Sequence, residues 1–309
     1  MTGAAIGKAG PGDRERAEQL TEALPYILDY RGETVVIKFG GHAMLSDSLK
    51  NDFAKDVTLL GLLGLKPVIV HGGGPDINLM LDKLGIESRF VSGLRYTDEA
   101  TMAVVEMVLG GKIGKDLAGR VSLAGGNAVS LSGKDSRLIE AKKTILFPDP
   151  DFPGGPGEPG EPIEAVDPGL VGTPVAINTV LLDKLGEAGF IPIISPVGTD
   201  ANGVTYNVNA DTAAAAVAVG MKARRLILLT DVPGVLDERG ELIGTLTPER
   251  LKKLKENKVI AGGMIPKIEC CREALANGCG AASIIDGRVP HSILLELFTR
   301  KGSGTEINV

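Results

Sequence analysis

The sequence predicts an α/β protein with an open, largely parallel sheet sandwiched between helices and one extra helix ahead of the first strand. Three observations carry this expectation. Short β-branched runs alternate with helical stretches along most of the chain. Several of those runs end in glycines that feed the next helix, as in KPVIVHGGGPDIN (residues 66–78). The composition, with 43% hydrophobic and 23% charged residues and 42 glycines in 309, suits a chain whose loops approach ligands closely.

Residues 13–31 place Ala17, Leu20, Leu24, Ile27 and Leu28 at helical spacing with charge opposite, and Pro25 is expected to kink or restart that helix. ETVVIKFGG (33–41) is the first strand, and a helix over 46–64 leads into KPVIV (66–70). Such a β-α-β succession implies parallel strands. The pattern returns in NAVSL (127–131), a hairpin-like region, GFIPIISPVG (189–198), an alanine-rich helix from 211, RLILLTDVPGVLD (225–237), a helix from 266 and ASIIDG (282–287). Residues 147–164 interrupt it with six prolines and four glycines in 18 residues, which reads as an exposed insertion between two strands rather than an interdomain linker.

A net charge of −6 without a basic block argues against nucleic-acid binding. No apolar run reaches membrane-spanning length, and no signal-peptide core opens the chain. Cys270, Cys271 and Cys279, apparently on one helix, match neither a zinc spacing nor a disulfide framework, so buried reduced thiols and a cytoplasmic location are expected.

Ligands of open α/β sheets bind beyond the carboxyl ends of the strands. Four stretches lie at such ends: Lys38–Gly41, Gly72–Pro75, Ser195–Gly198 and Thr230–Gly234. Glycine-rich strand ends that open helices suit an anion cradled by backbone N–H groups. GGKIGKD (110–116) has the letters of a P-loop at the wrong spacing, and no G-x-G-x-x-G follows a strand. HGGG (71–74) resembles an esterase oxyanion turn, but no G-x-S-x-G elbow accompanies it.

Charge placement is more telling. Pro266 puts Lys267 in the first turn of its helix, where a cation opposes the macrodipole by roughly 0.3–1 kcal/mol unless an anion is held nearby. Lys38 ends a buried strand among glycines, and Asp211 stands where an N-cap or first-turn carboxylate belongs. Taken singly, these are also what a solvated lysine or a plain cap would look like. Together they suggest phosphoryl transfer, where catalysis is mostly positioning and charge neutralisation. The chain has only three histidines, His42, His71 and His291, and no evident Ser/His/Asp set. A carboxylate acceptor needs no general base, because a group with a pKa of about 4.3 is already an anion at pH 7.

VVIKFGG, VIVHGGGPDIN, GLRYTD (93–98), NVNADTAA, LLTDVPGV (228–235) and GGMIPK together resemble the N-acetylglutamate kinases of the amino-acid kinase fold, from about residue 20 to the C-terminus. Single motifs are shared with aspartokinases, uridylate kinases and carbamate kinases. The resemblance implies ATP-dependent phosphorylation of N-acetyl-L-glutamate with Mg²⁺, in arginine biosynthesis, with no protein-held metal. It implies that Lys38 and Lys267 stabilise the transferring phosphoryl group and that Asp211 organises both lysines. Gly73 and Gly74 would donate N–H bonds to it, Arg95 would clamp the α-carboxylate, and Asn207 would hold the acetamido or carboxylate end. Gly40, Gly41, Thr230, Asp231, Gly234 and Val235 would line the ATP site.

The same resemblance divides the chain into an oligomerisation extension (1–32) and a kinase domain (33–309), with an acceptor lobe (33–196) and an ATP lobe (197–309). TEALPYILDYRGETVVIKFGG and GRVPHSILLELFTRKGSGT (287–305) resemble the arginine-inhibited branch, implying a hexamer of dimers with L-arginine as feedback inhibitor, held in part by Glu296 and Gly302. Ser283 stands where relatives of that branch often carry histidine, which bears on the affinity for arginine. The competing readings are another acyl-phosphate-forming amino-acid kinase and a non-catalytic arginine- or nucleotide-binding regulator.

Overall fold

The computed structural model describes residues 11–146, 166–260 and 262–308. Helix α1 (Pro11–Tyr30) leads into strand β1 (Thr34–Phe39), α2 (Asp47–Leu62) crosses to β2 (Lys66–His71), and α3 (Gly74–Leu84) follows. A short hairpin, β3 (Phe90–Val91) and β4 (Leu94–Arg95), precedes a long helical run. In it α4 (Glu99–Glu106) and α5 (Gly114–Leu123) are joined by a π-helical stretch, Met107–Ile113. Then come β5 (Ala128–Ser132), β6 (Ile139–Lys143), β7 (Val171–Ile177), α6 (Val180–Glu187), β8 (Ile191–Ser195), β9 (Val197–Thr199) and β10 (Thr205–Val208). The last part holds α7 (Ala210–Gly220), β11 (Arg225–Thr230), β12 (Thr245–Leu246), α8 (Pro248–Glu256), α9 (Met264–Ala276), β13 (Ala282–Asp286), α10 (Ser292–Phe298) and β14 (Thr305–Ile307).

Eight strands form the main sheet in the order β12-β14-β13-β11-β1-β2-β8-β5. All neighbours run parallel except β13 and β14. From β1 the chain first builds towards β2, β8 and β5, and later towards β11 and β13. The strand order therefore reverses between β1 and β11, and the crevice beyond their carboxyl ends is where a ligand fits such a sheet.

Alternation along β1 decides which way each side chain looks. Val35, Ile37 and Phe39 enter a core with α2, α4, α5 and α10, while Val36 enters a second core with α7, α8 and α9. Both faces are buried, which is why these strands read as unbroken apolar runs. Lys38, two residues beyond Val36, must then project towards α7 and α9.

Some expectations need correction and others a finer statement. Of the two outcomes expected at Pro25, a kink or a restart, the restart does not occur, because α1 runs through Pro25 as a single helix. One proline removes a single N–H donor, and on an exposed helix water can take the freed carbonyl. Of the apolar stripe of α1, Leu20, Leu24 and Leu28 are exposed and Ile27 is half-buried; among the residues of this helix whose side chains are described, only Tyr30 at its end is buried. Cys279 lies past the end of α9, although all three thiols are free and buried. The 147–164 segment lies outside the described residues. Leu146 and Val166 pair with each other, and the strands it connects, β6 and β7, are antiparallel neighbours. Those two strands close with β9 and β10 into a small four-stranded barrel.

Candidate active site

Strand register brings the expected stretches together. Lys38 pairs with Val70 of β2 and Leu228 of β11, so the turns after Phe39, His71 and Thr230 emerge side by side. Gly72 N–H donates to the Phe39 carbonyl at 2.8 Å, tying the first two turns together. Helix α7 starts beyond β10, with Asn209 as its N-cap; the Asn209 side chain accepts from the N–H groups of Asp211 and Thr212. Asp211 is therefore spared the capping role and sits in the first turn with its carboxylate free to reach outward. Its alanine-rich continuation (Ala213, Ala214, Ala218) is fully buried, which small side chains allow by letting the helix lie close to the sheet.

Three of the expected residues meet at this point. Lys38 Nζ lies 3.1 Å from Asp211 Oδ1, and Lys267 Nζ donates to Asp211 Oδ2. The three side chains are between 10% and 18% exposed, so this cluster of two cations and one anion carries a net positive charge largely out of water. Burial pushes the Lys38 pKa down, against the pull of Asp211 and with the push of Lys267. Burial would raise the Asp211 carboxyl, but the two ammonium groups outweigh it and hold the group below its ordinary value. Asp211 cannot by itself neutralise both lysines, and Asp231 adds only a weaker pull on Lys38. An anion arriving at the site would complete the balance.

The glycines around the cluster divide into different tasks. A Cβ on Gly40 would stand 2.6 Å from Lys38 Nζ and 2.8 Å from its Cε. Gly40 thus keeps open the space in which the ammonium sits. Gly41, at φ +73°, backs onto the Asp231 carboxylate. Gly73 has a reason that sequence could not show, because its missing Cβ leaves room for Leu109 and Ile113 of the π-helical stretch. A Cβ on Gly74 would meet open space. Gly73 is the N-cap of α3 and Gly74 its first residue, so their N–H groups have no acceptor within the helix.

Gly40→Ala gives a sharp test of this geometry. The atoms it would strike belong to the tip of a flexible side chain, so the fold can yield cheaply by moving the ammonium off Asp211. The melting temperature is expected to hold while turnover falls on the order of 10²-fold, the usual scale for misplacing a reacting group by about 1 Å. Unchanged turnover in a folded variant would contradict the placement of Lys38.

Beside the cluster lies a cavity of about 190 Å³ lined by Gly72, Gly73, Gly74, Arg95, Leu109 and Asn207, among others. Arg95, only 7% exposed, donates to Ser88 Oγ and, at 3.4 Å, to the Gly74 carbonyl, and its guanidinium lies 4.8 Å from the Phe90 ring centroid. Among the described residues no carboxylate pairs with it, and burial lowers its pKa. Asn207 projects from β10 with its amide on Thr97 Oγ1 at 3.2 Å. Hollows of about 390 and 310 Å³ lie elsewhere. In the larger one Lys50, Lys112 and Arg120 are each paired with an aspartate, and in the other Lys66 is exposed, so neither presents a buried unpaired charge.

Thr230 ends β11 with 9% exposure and Asp231 follows it. Gly234, at φ +147°, leaves room for Leu242 and Thr305, and Val235 is buried with its N–H donating to Thr305 Oγ1 at 2.8 Å. Near the C-terminus, Glu296 on α10 is not a waiting carboxylate. Its Oε1 accepts from Arg225 Nη2 at 2.6 Å, and its Oε2 accepts from the Ser303 N–H at 2.7 Å. Gly302, at φ +64°, backs directly onto that carboxylate. Arg225 also reaches Glu306, Tyr30 and the buried Ser283. Sequence reading missed Arg225, Tyr30 and Glu306 because three distant segments meet there.

Comparison with known proteins gives the frame for this geometry. The amino acid kinase family profile matches residues 33–286. An acetylglutamate kinase of Zymomonas mobilis is 50% identical over 295 residues, covering 96% of both chains. That of Solidesulfovibrio magneticus is 52% identical over 296 residues, covering 96% of this chain and 97% of its own.

The chain belongs to the amino acid kinase family.

Within that family, both of these relatives are acetylglutamate kinases and match over nearly their full length. Among solved structures, the Neisseria gonorrhoeae N-acetylglutamate synthase complexed with coenzyme A and N-acetyl-glutamate superimposes with a TM-score of 0.79 at 27% identity. This chain covers 63% of that synthase, with 95% of its own length in the match. A structure of the same synthase with coenzyme A and L-arginine gives a TM-score of 0.75. A Giardia lamblia carbamate kinase bound to AMP-PNP, 19% identical with a TM-score of 0.59, shares the fold.

Proposed function

We propose that the chain phosphorylates the γ-carboxylate of N-acetyl-L-glutamate with ATP, giving N-acetyl-γ-glutamyl phosphate and ADP, a step of arginine biosynthesis. The observation that carries the reading is the excess positive charge of Lys38 and Lys267 around Asp211, buried beside a cavity lined by Arg95, which pairs with no carboxylate among the described residues. A carboxylate oxygen attacks the γ-phosphorus, the new O–P bond forms, and the bond to the β–γ bridging oxygen breaks as ADP leaves. No proton has to move, because the nucleophile is already ionised. The obstacle is repulsion between anions. Lys38 and Lys267 offset it, with Asp211 holding both ammonium groups in place, and the Gly73 and Gly74 N–H groups complete the cradle.

Arg95 takes the α-carboxylate and Asn207 the acetamido end. Gly40, Gly41, Thr230, Asp231, Gly234 and Val235 line the nucleotide side, within an acceptor lobe over 33–196 and an ATP lobe over 197–309 that share one sheet. Among the described residues no group of three or more His, Cys, Asp or Glu side chains could hold a metal ion. The Asp211 carboxylate is already committed to both lysines. Mg²⁺ fits this site as a passenger on the nucleotide phosphates, whose charge it offsets, rather than in a protein cage. Among the described residues no helix is long and apolar enough to cross a membrane, and a biosynthetic kinase of this kind belongs in the cytoplasm.

Measuring ADP release with N-acetylglutamate, glutamate, aspartate, carbamate and UMP tests the reading. Activity confined to the acetylated substrate is expected; equal rates with free glutamate would sink the assignment.

Regulation by L-arginine and assembly into a hexamer of dimers belong to the same reading. The exposed Leu20, Leu24 and Leu28 of α1 give it an apolar face that the described residues leave uncovered. Its last residue, Tyr30, bonds Arg225 at 3.1 Å and so touches the Glu296 cluster. An effector guanidinium would have to share Glu296 with Arg225, which, with serine at position 283, points to weak inhibition. Removing residues 1–30 is expected to give active dimers that have lost inhibition or need far more arginine. A full-length chain that runs as a dimer, or ignores millimolar arginine, would refute this.

A further inference from the structure

His71 is fully buried at the end of β2, immediately before the glycine turn, and the chemistry above gives it no task. Its Nδ1 lies 2.8 Å from the Gly72 carbonyl oxygen. A carbonyl oxygen only accepts, so Nδ1 carries the hydrogen. Its Nε2 lies 3.0 Å from Ser195 Oγ, a hydroxyl with no exposed surface. In the neutral ring Nε2 is bare and accepts from that hydroxyl, which fixes both tautomer and ring orientation. Burial keeps the ring neutral, pulling its pKa down to about 4. The pair is not a hydrolytic triad, because the partner of Nδ1 is a backbone carbonyl rather than a carboxylate.

What that hydrogen bond controls follows from peptide geometry. The Gly72 carbonyl and the Gly73 N–H belong to one trans peptide plane and point in opposite directions. Neither flanking residue has a Cβ, so sterics alone would let this plane turn over. The groups around it are already tied: the Gly72 N–H to the Phe39 carbonyl at 2.8 Å, and the Gly73 carbonyl to the Ile77 N–H at 3.0 Å. The plane between them is what His71 pins. With its carbonyl held against the ring, its N–H faces the other way, and Gly72, Gly73 and Gly74 all line the acceptor cavity. A carbonyl that accepts a hydrogen bond also polarises its own peptide, making the N–H a better donor.

We propose that His71 is a positioning residue: by holding the Gly72 carbonyl from behind, it locks the Gly72–Gly73 peptide with the Gly73 N–H aimed at the transferring phosphoryl group. Ser195 is the support that keeps the ring in the required tautomer. This role rests on the kinase reading of the cavity. Because the aimed N–H acts on charge that develops during transfer, its loss should appear in kcat rather than in either KM.

The test pairs His71→Leu, which has no donor, with His71→Asn, whose side-chain NH₂ falls near the former Nδ1 position. His71→Leu is expected to lose on the order of 10–10²-fold in kcat with both KM values within a few-fold. His71→Asn should recover most of that loss. A folded His71→Leu enzyme with full kcat, or a His71→Asn enzyme as slow as His71→Leu, overturns the proposal. Imidazole ¹⁵N spectra of the unmutated protein give a second reading that needs no variant to fold. Nδ1 is expected as the protonated nitrogen and Nε2 as the bare one, and the reverse tautomer overturns the proposal. Those spectra do not depend on the acceptor. If the protein proved inactive on N-acetylglutamate, the kinase reading would fall while the hold on the Gly72 carbonyl would still be decided.

Discussion

Replacing Lys38 or Lys267 by alanine is expected to lower turnover by about 10²–10³-fold while leaving both KM values within a few-fold, the scale of losing one preorganised donor to a developing charge. The same variants should not melt earlier, and that contrast gives the experiment its force. The two lysines repel each other, and burial disfavours the charge on Lys38; Asp211 opposes both effects, and Asp231 adds a weaker pull on Lys38. Removing one lysine leaves a balanced pair, Asp211 with the other ammonium, at 3.1 Å from Lys38 or in direct contact with Lys267. Asp211→Ala is the counter-experiment, because it strands two ammonium groups with no carboxylate between them. Breaking a buried pair in this way costs about 3–5 kcal/mol, so this variant should lose stability as well as activity. Kinetics at saturating substrates together with thermal melts of the three proteins check the scheme. A lysine variant with near-normal turnover would return that lysine to an ordinary ion pair.

Arg95→Ala is expected to raise the KM for N-acetylglutamate by about 10²-fold or more, with the KM for ATP nearly unchanged. Truncating one member of a buried, hydrogen-bonded charge pair costs about 2–5 kcal/mol of binding. On the proposed reading the missing member is the substrate's own carboxylate, since among the described residues no acidic side chain pairs with Arg95, a residue only 7% exposed. The grip on the non-reacting end is made equally in ground and transition states, so kcat at saturation should move much less. Arg95→Lys should rescue poorly, because an ammonium cannot reproduce the fork that meets Ser88, Gly74 and a carboxylate together. Equal damage to both KM values would mean that Arg95 holds the β3–β4 hairpin in shape rather than the substrate.

The sequence alone determined the parallel sheet, its two covered faces and the glycine-rich strand ends that gather at one edge of it. Continuous β-branched runs such as VVIKF and RLILLT can be satisfied only by burial on both sides, and glycines at their ends mark close backbone approach. Identity within the kinase family was legible too, because HGGG, GLRYTD and NVNAD are local strings. The barrel of β6, β7, β9 and β10 was not legible. Its strands mix buried, half-buried and exposed positions without a clean alternation, β9 is only three residues long, and 147–164 interrupts the pattern between β6 and β7. The π-helical stretch was hidden as well, since 7 residues are too few to reveal a change of period, yet it is what presses Leu109 and Ile113 onto Gly73.

Only the tertiary structure decided how the parts work on each other. Lys38 and Asp211 are 173 residues apart, and their meeting depends on strand alternation turning Lys38 towards α7 and on Asn209 taking the cap that Asp211 could have taken. Composition could not distinguish the histidine that holds the Gly72 carbonyl from the other two histidines of the chain, nor reveal that Arg225 already occupies Glu296. Local strings specify backbone conformation and burial because those depend on near neighbours. The charge balance of a site, and which donor is pinned or spare, depend on side chains brought together across the sheet, where the low dielectric makes each partner matter.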